Sequence, residues 1–199
     1  MTLRERISEE TFRERSIPVL ETERLVLRTP GLADVKAVAA LANDRRIAEN
    51  TLRIPHPYHI ADAEAFIGTA NAGEHETVFL VTLRDGAVLG ACGVGLLNGA
   101  TPEIGYWLGV PFWGCGYATE AVRAVIDYSF VTLGHDQLAA GARVSNPASR
   151  RVLEKCGFQW TGIGLYRIRA IASSAPIDRF RLDRGLWASL KSWGARRVA

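Results

Sequence analysis

The sequence predicts an α/β (α+β) fold: a mixed, mostly antiparallel sheet flanked by helices, with one parallel step at which the sheet parts. Three observations predict it. Three β-rich runs, 78–83, 88–97 and 103–108, are punctuated by Asp85-Gly86 and Asn98-Gly99, pairs favoured in two-residue hairpin turns. A helix-like run, 118–133, then leads to a further strand, 137–144, and a strand reached through a helix lies parallel to its predecessor. Because parallel neighbours joined at one end tend to splay, the fourth and fifth strands, 103–108 and 137–144, are expected to diverge. Between them, Pro111 to Ala121 reads Pro-Phe-Trp-Gly-Cys-Gly-Tyr-Ala-Thr-Glu-Ala, with two glycines one residue apart.

The other elements follow in order. Residues 1–20 form a charged arm, which suits a frayed tail or a partner contact. In Thr22 to Thr29, Leu25 and Leu27 alternate with Arg24, Val26 and Arg28, a first strand at the sheet edge. Pro30-Gly31 breaks the chain before a helix over 34–43 built on Val35, Val38 and Ala39. From Ile47 to Ile60 the periodicity fails around Pro55 and Pro57, and a helix resumes over 62–70. The loop between these helices, with His56, Tyr58 and His59, suits a substrate wall. On 118–133, Ala118, Val122, Ile126 and Phe130 form an apolar stripe. Asn146 as N-cap, Pro147 at the first position and Gly157 past the end delimit the next helix. Residues 158–172 and 179–183 read as a last strand pair joined across Ser173 to Ile177, and Leu186, Leu190 and Trp193 give the terminal segment helical spacing.

Composition narrows the function. A chain of 199 residues, 48% hydrophobic, buries a full single-domain core. The net charge of +3 is too small an excess to make nucleic acid the expected partner. Cys92, Cys115 and Cys156 lack Cys-x-x-Cys spacing, so neither a disulfide framework nor a metal site is expected, and a reducing cytoplasm is the simpler reading. No apolar run approaches the ~20 residues that span a bilayer, so no membrane partner is expected.

Pro111–Ala121 has a chemical use. A helix begins with backbone N–H groups that lack internal partners, at the positive end of its dipole. Gly114 and Gly116 let the backbone turn so that several of these groups converge on one anion. Neither the P-loop nor the dinucleotide pattern fits, since no Lys-Ser or Lys-Thr follows and a third glycine is missing. A tight turn that binds nothing is the plain alternative.

The order of elements resembles the GCN5-related N-acetyltransferase (GNAT) fold, and the residues sharpen the match. Glu103-Ile104-Gly105-Tyr106-Trp107-Leu108, Trp113 to Ala121, and Asn146-Pro147-Ala148-Ser149 with Leu153 to Phe158 resemble three motif blocks of the RimJ/RimL branch, as does Pro57-Tyr58 before Asp62-Ala63-Glu64. That branch acetylates ribosomal protein N-termini among other amines. The resemblance implies a GNAT acetyltransferase domain over 21–187, a tail over 188–199, and acetyl-CoA as cosubstrate without a metal. It implies cofactor contacts at Trp113, Gly114, Cys115, Gly116, Tyr117, Ala118 and Thr119, with the pyrophosphate on the amides of 115–119. The pantetheine arm would enter the splay and pair with backbone around Leu108 and Val110, and Asn146 would bind it or cap its helix. Cys115 stands where the superfamily commonly has Lys, Gln or Arg; a thiol at a helix N-terminus raises a rival role as nucleophile.

The implied reaction is direct attack of a primary amine on the thioester, with no covalent enzyme intermediate. Attack needs a neutral amine: an α-amino group is about 10–20% neutral at pH 7, a lysine-type amine only about 0.04%. Glu103 is the candidate base, through water, against the plainer reading of a strand-edge ion pair. Ser149 is the candidate acid for the departing thiolate, against plain capping. The acceptor is an amine, either a peptide N-terminus or a small amine; the charged arm and Trp-bearing tail suit a homodimer. A non-catalytic acyl-CoA-binding module is the alternative function.

Overall fold

The computed structural model describes residues 17–72, 76–96 and 101–195; most of the charged arm and the Asn98-Gly99 turn lie outside them. Eight strands form one sheet in the order β1-β2-β3-β4-β5-β6-β8-β7. They are β1 (Leu20–Glu21), β2 (Leu25–Arg28), β3 (Glu76–Leu83), β4 (Val88–Gly95), β5 (Glu103–Leu108), β6 (Gln137–Arg143), β7 (Gln159–Ile168) and β8 (Ser173–Asp183). The helices are α1 (Val35–Ala42), α2 (Arg45–Ala48), α3 (Ile60–Ala72), α4 (Tyr117–Val131), α5 (Pro147–Lys155) and α6 (Arg184–Ala195).

Alternation along the strands divides the core between two faces. Phe79 and Val81 of β3 join Leu25, Leu27, Ile104 and the α4 residues Val122, Val125, Ile126 and Phe130 on one face. Leu80 points the other way, into a second cluster with Val35, Val38 and Ala39 of α1 and Ala63 and Ile67 of α3. β3 is therefore apolar on both sides, which is why its sequence reads as a continuous run rather than an alternation. The apolar stripe of α4 is wider than the 118–122–126–130 spacing suggests, since Val125 is also fully buried.

β5 and β6 are parallel, and they pair only at Glu103 with Ala139 and at Ile104 with Ala140. The Ala139 amide donates to the Pro102 carbonyl, while the Gly109 amide donates to Leu89 of β4. Peptide groups alternate along a strand, so those of Tyr106 and Leu108 turn away from β4, toward the gap that opens beyond Ile104. The predicted splay is present, with its floor at Ile104.

The ends of α5 follow the sequence signals. Asn146 Oδ1 accepts from the Ser149 amide at 3.1 Å, and Pro147 starts the helix. At the other end Gly157 has φ +93°, its amide donates to Glu154, and Phe158 donates to Leu153, the two bonds of a Schellman motif.

Four local expectations change. A short strand, β1, pairs outside β2, so β2 is not the edge. The segment from Ile47, expected to be aperiodic, begins inside α2, whose start is fixed by Asp44 accepting from the Arg46 amide. At Asp85-Gly86 the Leu83 amide donates to Ala87 and the Gly86 amide to Leu83; only Gly86 has positive φ, +92°. That is a three-residue loop with glycine in the left-handed position, not a two-residue turn. Finally, β8 starts at Ser173, so the last connection is the 3₁₀ turn Arg169–Ile171 and Ala172 rather than 173–177. The Ala175 and Ile177 side chains are buried, which favours strand over loop there.

Phe79 is fully buried and meets Tyr128 of α4 edge-on, with centroids 5.4 Å apart. Phe79→Ala should cost about 3–5 kcal/mol, read as a lower denaturant midpoint at unchanged slope; a cost near zero would mean that β3 and α4 are not packed as described.

Candidate active site

The glycine-rich turn sits where β5 feeds α4. Gly114 has φ +77° and Gly116 φ +82°, a region that favours glycine. Gly116 is the N-cap of α4 and contributes no side-chain cap, so the opening amides of the helix are not claimed by a capping side chain. This is the open donor set that a pyrophosphate requires.

The turn is held from below by an ion pair whose acidic member, Glu120, lies in a motif block but whose partners in the β1–β2 corner carry no signal. Glu120, in the first turn of α4, accepts from the Thr22 hydroxyl at 2.6 Å, the Arg24 amide at 2.9 Å and Arg24 Nε at 2.7 Å. Arg24 also donates from Nη1 to the Cys115 carbonyl at 3.0 Å and lies over the Tyr117 ring, 4.6 Å from its centroid. Burial alone would raise the Glu120 pKa, but the bonds from Thr22 and Arg24 outweigh it and hold the carboxyl below its ordinary value. Glu120 therefore ties α4 to the β1–β2 corner.

The remaining predicted cofactor residues are placed as follows. Trp113 is half-exposed, and its indole N–H donates to the Leu108 carbonyl at 2.8 Å, folding the turn back over the end of β5. Val110 opens a 3₁₀ turn, Val110–Phe112, on that path. Ala118 is packed against the main core. The Thr119 carbonyl faces the Cys156 thiol at 3.7 Å. The Cys115 thiol is exposed and lies 3.6 Å from the Trp113 carbonyl; among the described residues no histidine or carboxylate hydrogen-bonds to it. Asn146 is engaged as the α5 cap.

Ser149 and Glu103 line the same cavity. A cavity of about 710 Å³ is lined by both residues, by Gly105 and Tyr106 of β5, and by Gly141 and Arg143 of β6. Glu103 pairs with Ala139 in register, so its side chain shares the face of Gly141, two residues on; a Cβ built on Gly141 would lie 3.7 Å from Glu103 Oε1. Tyr106 is on the opposite face of β5. Its hydroxyl is 2.7 Å from Ser149 Oγ and donates to the Ser149 carbonyl at 3.2 Å. Burial raises the Tyr106 pKa, so the phenol stays protonated through neutral pH. Tyr106 lies within the Glu103–Leu108 motif block, but its hydroxyl has no signal of its own; the partnership with Ser149 spans 43 residues and exists only in the fold.

Of the loop residues, Tyr58 and Pro55 line the cavity, whereas His56 and His59 are exposed and do not. Tyr58 is buried, with its hydroxyl pKa pushed up to about 12. Among the described residues no group of three or more His, Cys, Asp or Glu could hold a metal ion, and no helix is long and apolar enough to cross a membrane.

An acetyltransferase (GNAT) domain model matches residues 24–159. The chain belongs to the GNAT family. Its relatives include the uncharacterized N-acetyltransferase YoaA of Bacillus subtilis (strain 168), 31% identical over 73% of this chain and 85% of YoaA. Two solved structures share the fold: Mycobacterium smegmatis RimJ in complex with CoA-disulfide, with TM-score 0.72 and 18% identity over 87% of this chain and 89% of that one; and Vibrio cholerae spermidine N-acetyltransferase with CoA and spermine, with TM-score 0.71 and 20% identity over 84% and 99%. As a GNAT member the protein is an acetyl-CoA-dependent N-acetyltransferase, and the expected mixed sheet parting between its parallel strands is the family fold.

Glu120→Gln keeps the shape of the brace and removes its charge. Because Arg24 is substantially exposed, the loss should be only about 1–2 kcal/mol of stability. The KM for acetyl-CoA should rise several-fold, with kcat little changed. The depressed Glu120 pKa gives this brace its full strength above the ordinary glutamate range and weakens it as pH falls through the lower folded value. Denaturant titrations of both proteins across that acid range should converge; parallel curves would contradict the brace.

Proposed function

We propose that the protein acetylates a primary amine by direct attack on the thioester of acetyl-CoA, with Glu103 and Ser149 on opposite sides of the reacting carbon. The observation that carries this is one cavity reaching through the β5–β6 gap, with a carboxylate on one face and a hydrogen-bonded Ser–Tyr pair on the other. Direct transfer is also simpler than a Cys115 acyl-enzyme, because the thiol lies out on the cradle and does not line this cavity.

In this reading the amides of 115–119 bind the pyrophosphate, and Trp113 and Tyr117 flank it. The pantetheine arm runs along the β5 edge that faces the gap, pairing at Tyr106 and Leu108 and passing Val110. Trp113 already donates to the Leu108 carbonyl, so the strand offers its amides there. One of them lies where an oxyanion develops as the amine attacks. Alignment of amine and thioester in the gap supplies much of the rate.

Glu103 takes the amine proton through water as the N–C bond forms and the C–S bond breaks. Ser149 gives its hydroxyl proton to the departing sulfur. Tyr106, protonated and 2.7 Å away, positions Ser149 Oγ and turns its single phenolic proton from the Ser149 carbonyl to Oγ as Oγ loses its own. Asn146 acts through the cap that sets the first turn of α5, and hence Ser149, at the gap. An α-amino group suits this site, since a single water-mediated base has less protonation to overcome than with a lysine-type amine. A peptide N-terminus, one of the two acceptor types left open by the RimJ/RimL resemblance, is therefore favoured over a polyamine.

Thiol release with a panel of amines tests the proposal. Ser149→Ala should lower kcat by about 100-fold, the lower end for loss of a general acid, with the KM for acetyl-CoA nearly unchanged. Glu103→Gln should show a deficit that is large at pH 7 and shrinks as pH rises past the amine pKa, where the acceptor is already neutral. Wild-type rates in Ser149→Ala would remove its role. Tight acetyl-CoA binding without turnover on any amine would instead favour a non-catalytic acyl-CoA-binding module.

A further inference from the structure

The acceptor side of the cavity is charged in an uneven way. Its lining residues include the acidic Asp62, Glu76 and Glu103 and the basic Arg53, Arg143, Arg169, Arg179 and Arg181. Several of these are matched: Arg53 grips Glu76 with bonds of 2.9 and 2.8 Å, Arg169 lies 3.9 Å from Asp62, and Arg181 pairs with Asp183 at 3.1 Å. Arg143 and Arg179 are different. Among the described residues neither has a carboxylate within 4.0 Å; Arg143 instead donates from Nη1 to the Glu49 carbonyl at 2.7 Å.

Strand register places this surplus charge. Gln137, Ala139, Gly141 and Arg143 share the open face of β6, and Arg179 stands opposite Gly141 on β8. Gly141 is also the residue whose added Cβ would approach Glu103. The backbone that carries Arg179 is thus one strand spacing, about 5 Å, from the residue facing the candidate base. Arg143 is two residues along the same strand, about 7 Å away. The Ile177 side chain packs over Gly141, its Cγ2 2.9 Å from where a Cβ would stand, whereas a Cβ on Gly105 across the gap would meet nothing within 4 Å.

A second polar demand lies at the same end. Asn50 lines the cavity next to Glu49, the residue whose carbonyl Arg143 holds. Its Nδ2 donates to the Arg46 carbonyl at 2.8 Å, which orients the amide, and its Oδ1 is buried without a hydrogen-bond partner. A buried acceptor left unpaired costs stability that a bound donor recovers.

We infer that the acceptor is an amine with a carboxylate a few bonds from the nitrogen, held by Arg143 and Arg179, and with a hydrogen-bond donor received by Asn50. This rests on the acetyltransferase reading above and narrows its substrate class to amino-acid-type acceptors, free or as the first residue of a peptide. A polyamine, which needs carboxylates where this wall presents guanidinium groups, is disfavoured.

The experiment compares kcat/KM for matched acceptors with saturating acetyl-CoA. The pairs are free amino acids against their carboxamides, and tripeptide amides beginning with Glu against those beginning with Gln; spermidine is the cationic control. In the wild type, at least one pair should favour the carboxylate by 10-fold or more, and which pair does so tells whether the α-carboxylate or a side-chain carboxylate is read. In Arg179→Gln, an exposed position, that ratio should fall toward 1, and likewise in Arg143→Gln, whose folding is checked by its melting temperature. Asn50→Leu should raise the KM of the preferred acceptor without shifting the acid-to-amide ratio. Equal or better turnover of carboxamides or spermidine, or a ratio unmoved by both arginine substitutions, overturns the inference while leaving the enzyme an acetyltransferase. Absence of thiol release with every amine, spermidine included, would overturn the acetyltransferase reading and the inference with it.

Discussion

The site depends on the brevity of one strand pairing. β5 and β6 touch at two residue pairs and then separate, although each stays firmly bonded to its outer neighbour, β4 or β8. An open gap inside a sheet leaves backbone donors and acceptors without strand partners, a cost that a folded protein ordinarily avoids. Here the peptide groups of Tyr106 and Leu108 turn to that gap, and a ligand with amides of its own is a natural partner for them. One core under α4 and α5 spans both halves of the sheet, from Phe79 and Ile104 to Leu138 and Phe180, while a second, under α1 and α3, covers only the β3 side of the other face.

Two chemical neighbourhoods then follow from strand alternation alone. Successive residues of β5 point to opposite faces, which puts Glu103 and Tyr106 on opposite sides of the same strand. The cap of α5 delivers Ser149 to Tyr106, while the register of β6 with β8 delivers arginines to the side of Glu103. The proposed acid and base are separated by the sheet itself and line one cavity through the opening. The cradle is tied to this frame at Glu120, whose bonds to Thr22 and Arg24 join the first turn of α4 to the far edge of the sheet.

What was legible in the sequence was what local rules encode. Gly114 and Gly116, the Asn146-Pro147 start and the Gly157 stop of α5 each act within a few residues, and their conformations match. The parallel step was legible because a helix between two strands leaves little topological choice. Long-range partners were not: Glu120 reads as one charged residue on a helix flank, and nothing nearby announces Thr22 or Arg24, more than 90 residues earlier. The same holds for the Tyr106 hydroxyl and for Arg143 and Arg179, whose meaning depends on strand register. The misplaced final turn has a related cause, because Ser173 to Ile177 contains serines and a proline that suggest a loop, while tertiary burial of Ala175 and Ile177 makes it strand.

A crystal structure of the protein with coenzyme A tests the use of the gap and the cradle together. The pyrophosphate oxygens should lie about 2.7–3.2 Å from the amide nitrogens of residues 115–119, with the pantetheine arm paired to β5 at Tyr106 and Leu108 and its sulfur directed toward Ser149. A pyrophosphate held elsewhere by surface side chains, or β5 and β6 zipped together beyond Ile104 with the arm outside, would contradict it.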